Sequence, residues 1–348
     1  MTRTLAILTL RNEGAFLLEW LAHHRAVGFT DFLVFSNDCE DGTDAMLDRL
    51  ADMGELTHVP NPAPHARGPQ WEALAQAVDH PLYAAADWAM VLDIDEFVNV
   101  HAGDHTLDAL RAALPQADAI ALTWRLFGNN GLVQFTDAPL TDQFTRAAPK
   151  VITYPWRAVM IKSLFRTDGP WDKLGVHRPR GGDKAAREAA RWYSGAGDEL
   201  EGPFKHQRLF SHLDRDNYRL AQLNHYPLGA MQSYLLKVAR GRANREDGAM
   251  GMDYWVERNW ATDEDTTIAR YTPARDPIWA RLAADSTLAD LHARAVAWRH
   301  DQFNALMLQD DFRALFGRLI ITPPARQTPP QLAAYIFDFA RKAQQSGE

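Results

Sequence analysis

Residues 4–36 read TLAILTLRNEGAFLLEWLAHHRAVGFTDFLVFS, and their period changes twice. Thr4–Leu10 is a mostly apolar run with the length of a buried strand. Phe16, Leu17, Trp20, Leu21, His24 and Val27 then recur at helical spacing, and Gly28 supplies a C-terminal stop. Asp31–Ser36 is strand-like again. Working outward, the pattern repeats. A helix is predicted over Asp44–Met53, ended by Gly54, then a strand over Glu55–Val59 and a helix over Pro69–Val78 with proline in its first turn. Trp88–Leu92 and Ala117–Trp124 read as strands, with a helix at Leu107–Leu114 between them. Such alternation with short links predicts an α/β fold with a mostly parallel central sheet covered on both faces.

Ligands of such sheets collect at the carboxyl ends of the strands. Three polar clusters fall there: Arg11-Asn12-Glu13, Asn37-Asp38 and Asp93-Ile94-Asp95-Glu96. Asp93 and Asp95 are two apart, so on an extended chain they point to one side. Like charges that close need a cation between them, or a proton on one. Mg²⁺ and Mn²⁺ take one or two carboxylates and fill the shell with phosphate and water oxygens, which suits Asp-x-Asp at a strand end. The competing structural reading makes Asp93 and Asp95 turn or helix caps and leaves Glu96 in solvent.

Arg11 is suited to a phosphate or a carboxylate, and Glu13 to a ribose hydroxyl or to the arginine. The helix starting there has free N–H groups that favour an anion. Asp38 lies where a base or ribose is gripped, whereas Glu40, Asp41 and Asp44 read as capping or solvated. Past Trp124 the texture turns irregular, with many turns and scattered aromatics, and antiparallel strands are predicted. Basic and aromatic residues gather there: Lys162, then Trp171, Asp172 and His177 in WDKLGVHRPR, then His225. Ser233, Lys237 and Arg240 form one polar stripe on a helix, suited to a diphosphate. From Leu228 onward the pattern is mainly helical. TPPARQTPP (322–330) reads as a connector between helices, and the terminal AQQSGE as a fraying end.

The 348 residues are 46% hydrophobic and 24% charged, with a net charge of −8, which argues against general nucleic-acid binding. Cys39 is the sole cysteine, so an intramolecular disulfide and a cysteine-rich zinc site are excluded. No G-x-G-x-x-G or G-x-x-x-x-G-K-[ST] occurs, which removes the fingerprints of a nicotinamide-binding Rossmann fold and of a P-loop. No run of 18 apolar residues is present, so no transmembrane segment is expected. The expectation is a cytoplasmic protein, with room for peripheral contact at the inner face of a membrane.

RNEGAFLLEWLAHHRAVGFTDFLVFSND, followed by an apolar strand and DIDEF, resembles glycosyltransferase families 2 and 92. The later pattern of His225-Tyr226, Ser233, Lys237 and Arg240-Gly241 resembles the second of these. The similarity spans residues 4–242, and it is the pairing of the two halves that is specific. It implies a GT-A fold over residues 1–242, with a nucleotide-binding half (1–125) and an acceptor half (126–242), followed by a helical region at 243–348. It also implies a nucleotide-sugar donor, Mn²⁺ or Mg²⁺, and inversion at the anomeric carbon. By that resemblance Asp93 faces the ribose side of the metal motif, Asp95 holds the metal, and His225 joins its shell. Arg11, Asn12, Glu13 and Asp38 hold the nucleotide, and Lys237 and Arg240 the diphosphate. Lys162, His177 and Trp171 are expected to contact donor or acceptor, which is a saccharide, a lipid-linked sugar or another hydroxyl compound. Asp172, or else Glu96, is expected to take the acceptor's proton. Two rival readings are a metal-dependent phosphoryl-transfer or hydrolytic enzyme and a non-catalytic carbohydrate-binding protein.

Overall fold

The computed structural model describes residues 2–241 and 251–346. β1 (Thr4–Leu10), β2 (Asp31–Ser36), β3 (Thr57–Pro60) and β4 (Trp88–Leu92) lie in the order β3-β2-β1-β4, all parallel. The crossovers are α1 (Gly14–Val27), α2 (Thr43–Asp52) and the pair α3 (Pro69–Val78) and α4 (Pro81–Ala85). Strand alternation divides the core. Ala6, Leu8, Phe32, Val34, Met90 and Leu92 pack with Leu17, Leu21 and Leu47 of α1 and α2. Leu5, Ile7, Leu33, Phe35 and Val91 pack with Ala73 and Leu74 of α3 on the other face. Strands buried on both faces must read as unbroken apolar runs, which is why the sequence shows them so plainly.

Beyond β4 the chain forms β5 (Glu96–Val100), α5 (Leu107–Ala113), β6 (Ala119–Leu126), α6 (Leu140–Gln143), β7 (Arg146–Ala147) and β8 (Ile161–Arg166). α7 (Lys184–Ala189), β9 (Trp192–Ser194), β10 (Glu199–Leu200) and β11 (Ala221–His225) follow. β8 inserts antiparallel between β4 and β6. The far edge of β6 is shared by β9 and β11, both parallel to it, and β5 pairs antiparallel with β11. The sheet is therefore parallel from β3 to β4 and mixed beyond it. Two expectations shift. The third strand starts at Thr57 rather than Glu55, because the Glu55 N–H donates to the Leu50 carbonyl and the Glu55 carbonyl accepts from Arg25, which leaves neither for the strand ladder. Asp93 to Asp95 are not extended: the chain turns there, with the Glu96 N–H donating to the Asp93 carbonyl at 3.1 Å, and β5 begins at Glu96.

The remainder comprises α8 (Met231–Arg240), α9 (Met252–Arg258), β12 (Asp263–Glu264), α10 (Thr272–Ala283), α11 (Ser286–Leu306), α12 (Asp310–Ile321) and α13 (Pro330–Ser346). The boundary expected at 242–243 lies outside the described residues, as do the last two residues of the tail expected to fray. β12 pairs with β7, and α10 and α11 pack on α1, so Leu282, Leu288 and Ala295 share a core with α1, α2 and the parallel strands. At Gly14 a Cβ would lie 3.0 Å from both Ala295 Cβ and Met46 Sδ. Glycine lets the start of α1 meet α11 and α2 this closely.

One edge of β5 is covered by side chains. His23 Nε2 donates to the Val98 carbonyl at 2.8 Å, and the Val98 N–H reaches His24 Nε2 at 3.4 Å. His24 Nδ1 donates to the Trp20 carbonyl, which fixes Nε2 as the unprotonated nitrogen. Tyr271 satisfies the Val100 N–H in the same way. Burial lowers His23 to about 3, and burial together with His23 holds His24 well below its ordinary value of 6.5. Both histidines take protons more readily in the unfolded chain, so stability is complete above about pH 6.5 and falls as pH drops below it. Each contributes a slope approaching 1.4 kcal/mol per pH unit, as an order of magnitude. Glu19, which burial raises to about 6, works the opposite way between its ordinary 4.5 and 6. Urea unfolding at pH 7, 6 and 5 should show a falling midpoint. A constant midpoint would overturn this account of the edge.

Candidate active site

The three clusters at the ends of β2, β1 and β4 are neighbours because those strands are neighbours. The first two are laced together. Asn12, held at φ 57°, accepts the Glu40 N–H on Oδ1 at 2.7 Å, and the Glu13 N–H donates to Thr43 Oγ1 at 3.1 Å. Asp41 is buried and takes the N–H groups of Gly14 and Thr43. The anion expected at the start of α1 is thus met, at Gly14, by the chain's own carboxylate. Arg11 is exposed, 3.8 Å from Glu40. Asp38 is exposed at φ 45°, with the Ala63 N–H donating to it at 3.3 Å. Glu13 is turned inward, paired with Arg240 and 3.6 Å from Arg299 of α11.

The acidic turn is held from three sides. Trp20 Nε1 of α1 donates to the carbonyls of Asp93 (3.2 Å) and Glu96 (3.1 Å). Glu96 is fully enclosed: Oε1 accepts Trp124 Nε1 at 2.6 Å, and Oε2 accepts the Asp93 N–H at 2.9 Å. Lys162, reaching from β8 and equally enclosed, sets its Nζ 3.0 Å from Asp93 and 3.3 Å from Glu96. Burial opposes the Lys162 charge, but Asp93 and Glu96 hold its pKa above the ordinary lysine value. Burial pushes Glu96 up; Lys162 opposes the rise, and Asp93 and Asp95 add to it. Gln70 of α3 donates to Asp93 Oδ1 at 3.2 Å.

Asp95 faces the other way. Lys237 Nζ donates to its Oδ2 at 2.6 Å, and His225 Nε2 stands 3.6 Å from its Oδ1. Burial disfavours the Asp95 charge, yet Lys237 and His225 outweigh it and hold the carboxyl well below the usual range. Burial also lowers His225, so that imidazole is neutral near pH 7. The Trp124 ring lies against it, centroids 4.2 Å apart, with the His177 ring 5.7 Å away on an edge contact. His177 donates from Nδ1 to the Ile161 carbonyl, and burial aided by Lys162 lowers it to about 4. Between these elements lies a cleft lined by Asn12, Glu13, Asp95, Ser233, Lys237 and Arg299.

Of the residues singled out in the sequence, Asn12, Glu13, Asp93, Asp95, Glu96, Lys162, His177, His225, Lys237 and Arg240 are brought to one region. Arg11 and Asp38 sit on its exposed rim. Trp171 packs against Phe165 and Trp192 in the core on the α3 side. Asp172 is exposed next to it, and no contact among the described residues joins it to the acidic turn. Lys237 and Arg240 do share a helix face, but each ammonium or guanidinium already holds a carboxylate. Sequence reasoning missed Trp20 and Gln70 as supports of the turn, and Arg299 altogether. Trp20 carried a signal, since it belongs to the same quoted stretch as Glu13. Arg299 carried none.

The sequence model of glycosyltransferase family 92 matches residues 6–186, just over half of the chain. A family 92 protein of Ricinus communis is 27% identical over 144 residues, covering 39% of this chain and 25% of that relative. Another, from Oryza sativa subsp. japonica, is 23% identical over 146 residues, covering 40% of this chain and 24% of the relative. The match thus spans about a quarter of the length of these curated relatives. Among solved structures, S. aureus TarS 1–349 aligns with 92% of this chain and 89% of its own, at 10% identity and a TM-score of 0.33. S. aureus TarS 1–349 in complex with UDP aligns with 48% of this chain and 47% of its own, at 17% identity and a TM-score of 0.28. On the match over residues 6–186, this chain belongs to glycosyltransferase family 92.

Proposed function

We propose that this chain transfers a sugar from a nucleotide-sugar donor to an acceptor hydroxyl, with inversion, using Mn²⁺ or Mg²⁺. The observation that carries the reading is the Asp95–His225 pair at the carboxyl edge of the sheet. Lys237 takes Oδ2 of Asp95 and leaves Oδ1 turned toward His225 Nε2 at 3.6 Å. The carboxyl is kept ionised and the imidazole neutral, which are the forms that ligate a metal. Among the described residues no group of three acid, histidine or cysteine side chains is placed to hold an ion. A pair is the protein share expected when donor phosphates and water supply the remaining ligands. A divalent ion bound there would absorb negative charge on the departing diphosphate without proton traffic.

The chain's own residues complete the arrangement. Lys237 and Arg240 bring positive charge to the cleft, where it can stabilise a diphosphate as its charge grows. Asp93, fixed by Lys162 and Gln70, faces the ribose, and the rim residues Arg11 and Asp38 meet the base and ribose. Glu96 is enclosed by Trp124 and Lys162, so an acceptor hydroxyl has no path to it, and its role is to set the turn. Asp172 is open to solvent and remains the candidate for proton removal, although no hydrogen bond or ion pair among the described residues ties it to the acidic turn.

The test is thermal unfolding with UDP or GDP, with and without Mn²⁺. Ligands that bind only the folded chain raise its stability by about 2.7 kcal/mol at a hundredfold excess over Kd. A rise that needs both nucleotide and Mn²⁺ is expected. No shift with any nucleoside diphosphate sinks the proposal. An equal shift with inorganic phosphate alone would favour a phosphoryl-transfer site instead.

A further inference from the structure

Helix α13 carries an apolar stripe that no described residue covers. Leu332, Tyr335 and Phe339 are 56%, 62% and 54% exposed, and Ile336 beside them is 37% exposed. Their spacing of three, four and seven places them on one helix face. The opposite side is anchored: Ala333 is buried, and the half-buried Phe337 meets Trp156 at a ring distance of 6.3 Å. The segment leading into the helix is tied down as well, by Thr153 Oγ1 to the Thr328 carbonyl (3.0 Å) and Gln327 Nε2 to the Val151 carbonyl (3.1 Å). The stripe is therefore held outward on a docked helix. Exposed apolar patches of this kind mark interaction surfaces.

The basic excess of the C-terminal segment points to the partner. Residues 310–346 contain Arg313, Arg318, Arg326, Arg341 and Lys342 against Asp310, Asp311 and Asp338, with Arg313 paired to Asp310 and Arg341 to Asp338, in a chain whose net charge is −8. Arg318 and Arg326 make no ion pair among the described residues, and Lys342 Nζ sits 5.3 Å above the Phe339 ring. We propose that α13 lies on an anionic lipid surface. Tyr335 and Phe339 would enter the headgroup boundary, and the basic side chains would meet the phosphates. A second copy of this chain fits less well, because a two-fold pairing brings the same patch onto itself and sets its basic residues face to face. The proposal is independent of the sugar-transfer reading, although a lipid-linked acceptor would be met at that surface.

The experiment is co-sedimentation of the full chain with vesicles of 70% phosphatidylcholine and 30% phosphatidylglycerol, against pure phosphatidylcholine. Binding to the anionic vesicles should exceed the other by roughly tenfold or more, since each basic residue near such a surface adds about a fivefold factor. It should fall steeply as salt is raised. Leu332→Ser with Phe339→Ser, and separately Arg341→Glu with Lys342→Glu, should each reduce binding at least tenfold while keeping the urea midpoint of the parent. Failure to sediment with anionic vesicles overturns the proposal, and so does equal binding to both vesicle types. A dimer in sedimentation velocity that the Leu332→Ser, Phe339→Ser variant abolishes would assign the face to self-association instead.

Discussion

Lys162→Met is expected to destabilise the chain by about 3–5 kcal/mol, the usual cost of removing one partner of a buried ion pair. The ammonium is wholly enclosed and serves two acids, Asp93 at 3.0 Å and Glu96 at 3.3 Å. Asp93 is a third exposed and can turn to water, whereas Glu96 has no exposed surface. The loss therefore falls mainly on Glu96, which must either stay charged without a cation or bind a proton. Its donors, Trp124 Nε1 and the Asp93 N–H, suit a carboxylate and not a carboxylic acid. Pairing Lys162→Met with Glu96→Gln removes both charges and should recover at least half of the loss. Urea unfolding of the two variants decides the point. A single-variant loss under about 1 kcal/mol would show that Lys162 is not the counter-ion of Glu96.

Asp95→Asn is expected to lower sugar transfer by about two to three orders of magnitude, the scale seen when a group that stabilises developing charge is removed. It should cost far less stability than Lys162→Met. Lys237, freed of Asp95, keeps the Pro227 carbonyl at 2.8 Å and is a fifth exposed, so it can reach solvent. The two variants thus separate a structural ion pair from a functional one, although their acids are neighbours in sequence. Turnover measured beside the metal-dependent thermal shift provides the check. Retained transfer, or a retained metal-dependent shift, would mean that Asp95 is not the ligand.

The parallel half of the fold was legible because its signals are local. β1, α1 and β2 each declare a period within their own residues, and the three strand-end clusters followed from the parallel order. The resemblance to family 92 rested on those residues together with the His225–Gly241 pattern; the family match bears out the family over residues 6–186 and does not reach that later pattern. β5 was not legible. EFVNV is short, and its partner β11 lies some 120 residues later in the chain, a pairing that no local pattern announces. The counter-charge of the acidic turn was also hidden. Sequence reasoning looked to a bound ion for positive charge there and did not foresee that the chain itself also brings Lys162 from β8 to Asp93 and Lys237 from α8 to Asp95. Only the mixed sheet and the docking of α8 place them there. Arg299 arrives from α11 by packing alone, on a helix whose sequence carries no motif.

Helix α1 touches four different structures in a little over three turns. Glu13, just ahead of it, meets Arg240; Glu19 accepts the Leu140 and Thr141 N–H groups at the start of α6; Trp20 holds the acidic turn; and His23 and His24 close the β5 edge. Each residue added to or removed from a helix rotates everything after it by about 100°. One inserted residue between Glu13 and Glu19 would thus point the later contacts at the wrong neighbours together. The segment RNEGAFLLEWLAHH works as a ruler: substitutions can be absorbed one at a time, but a change of length cannot.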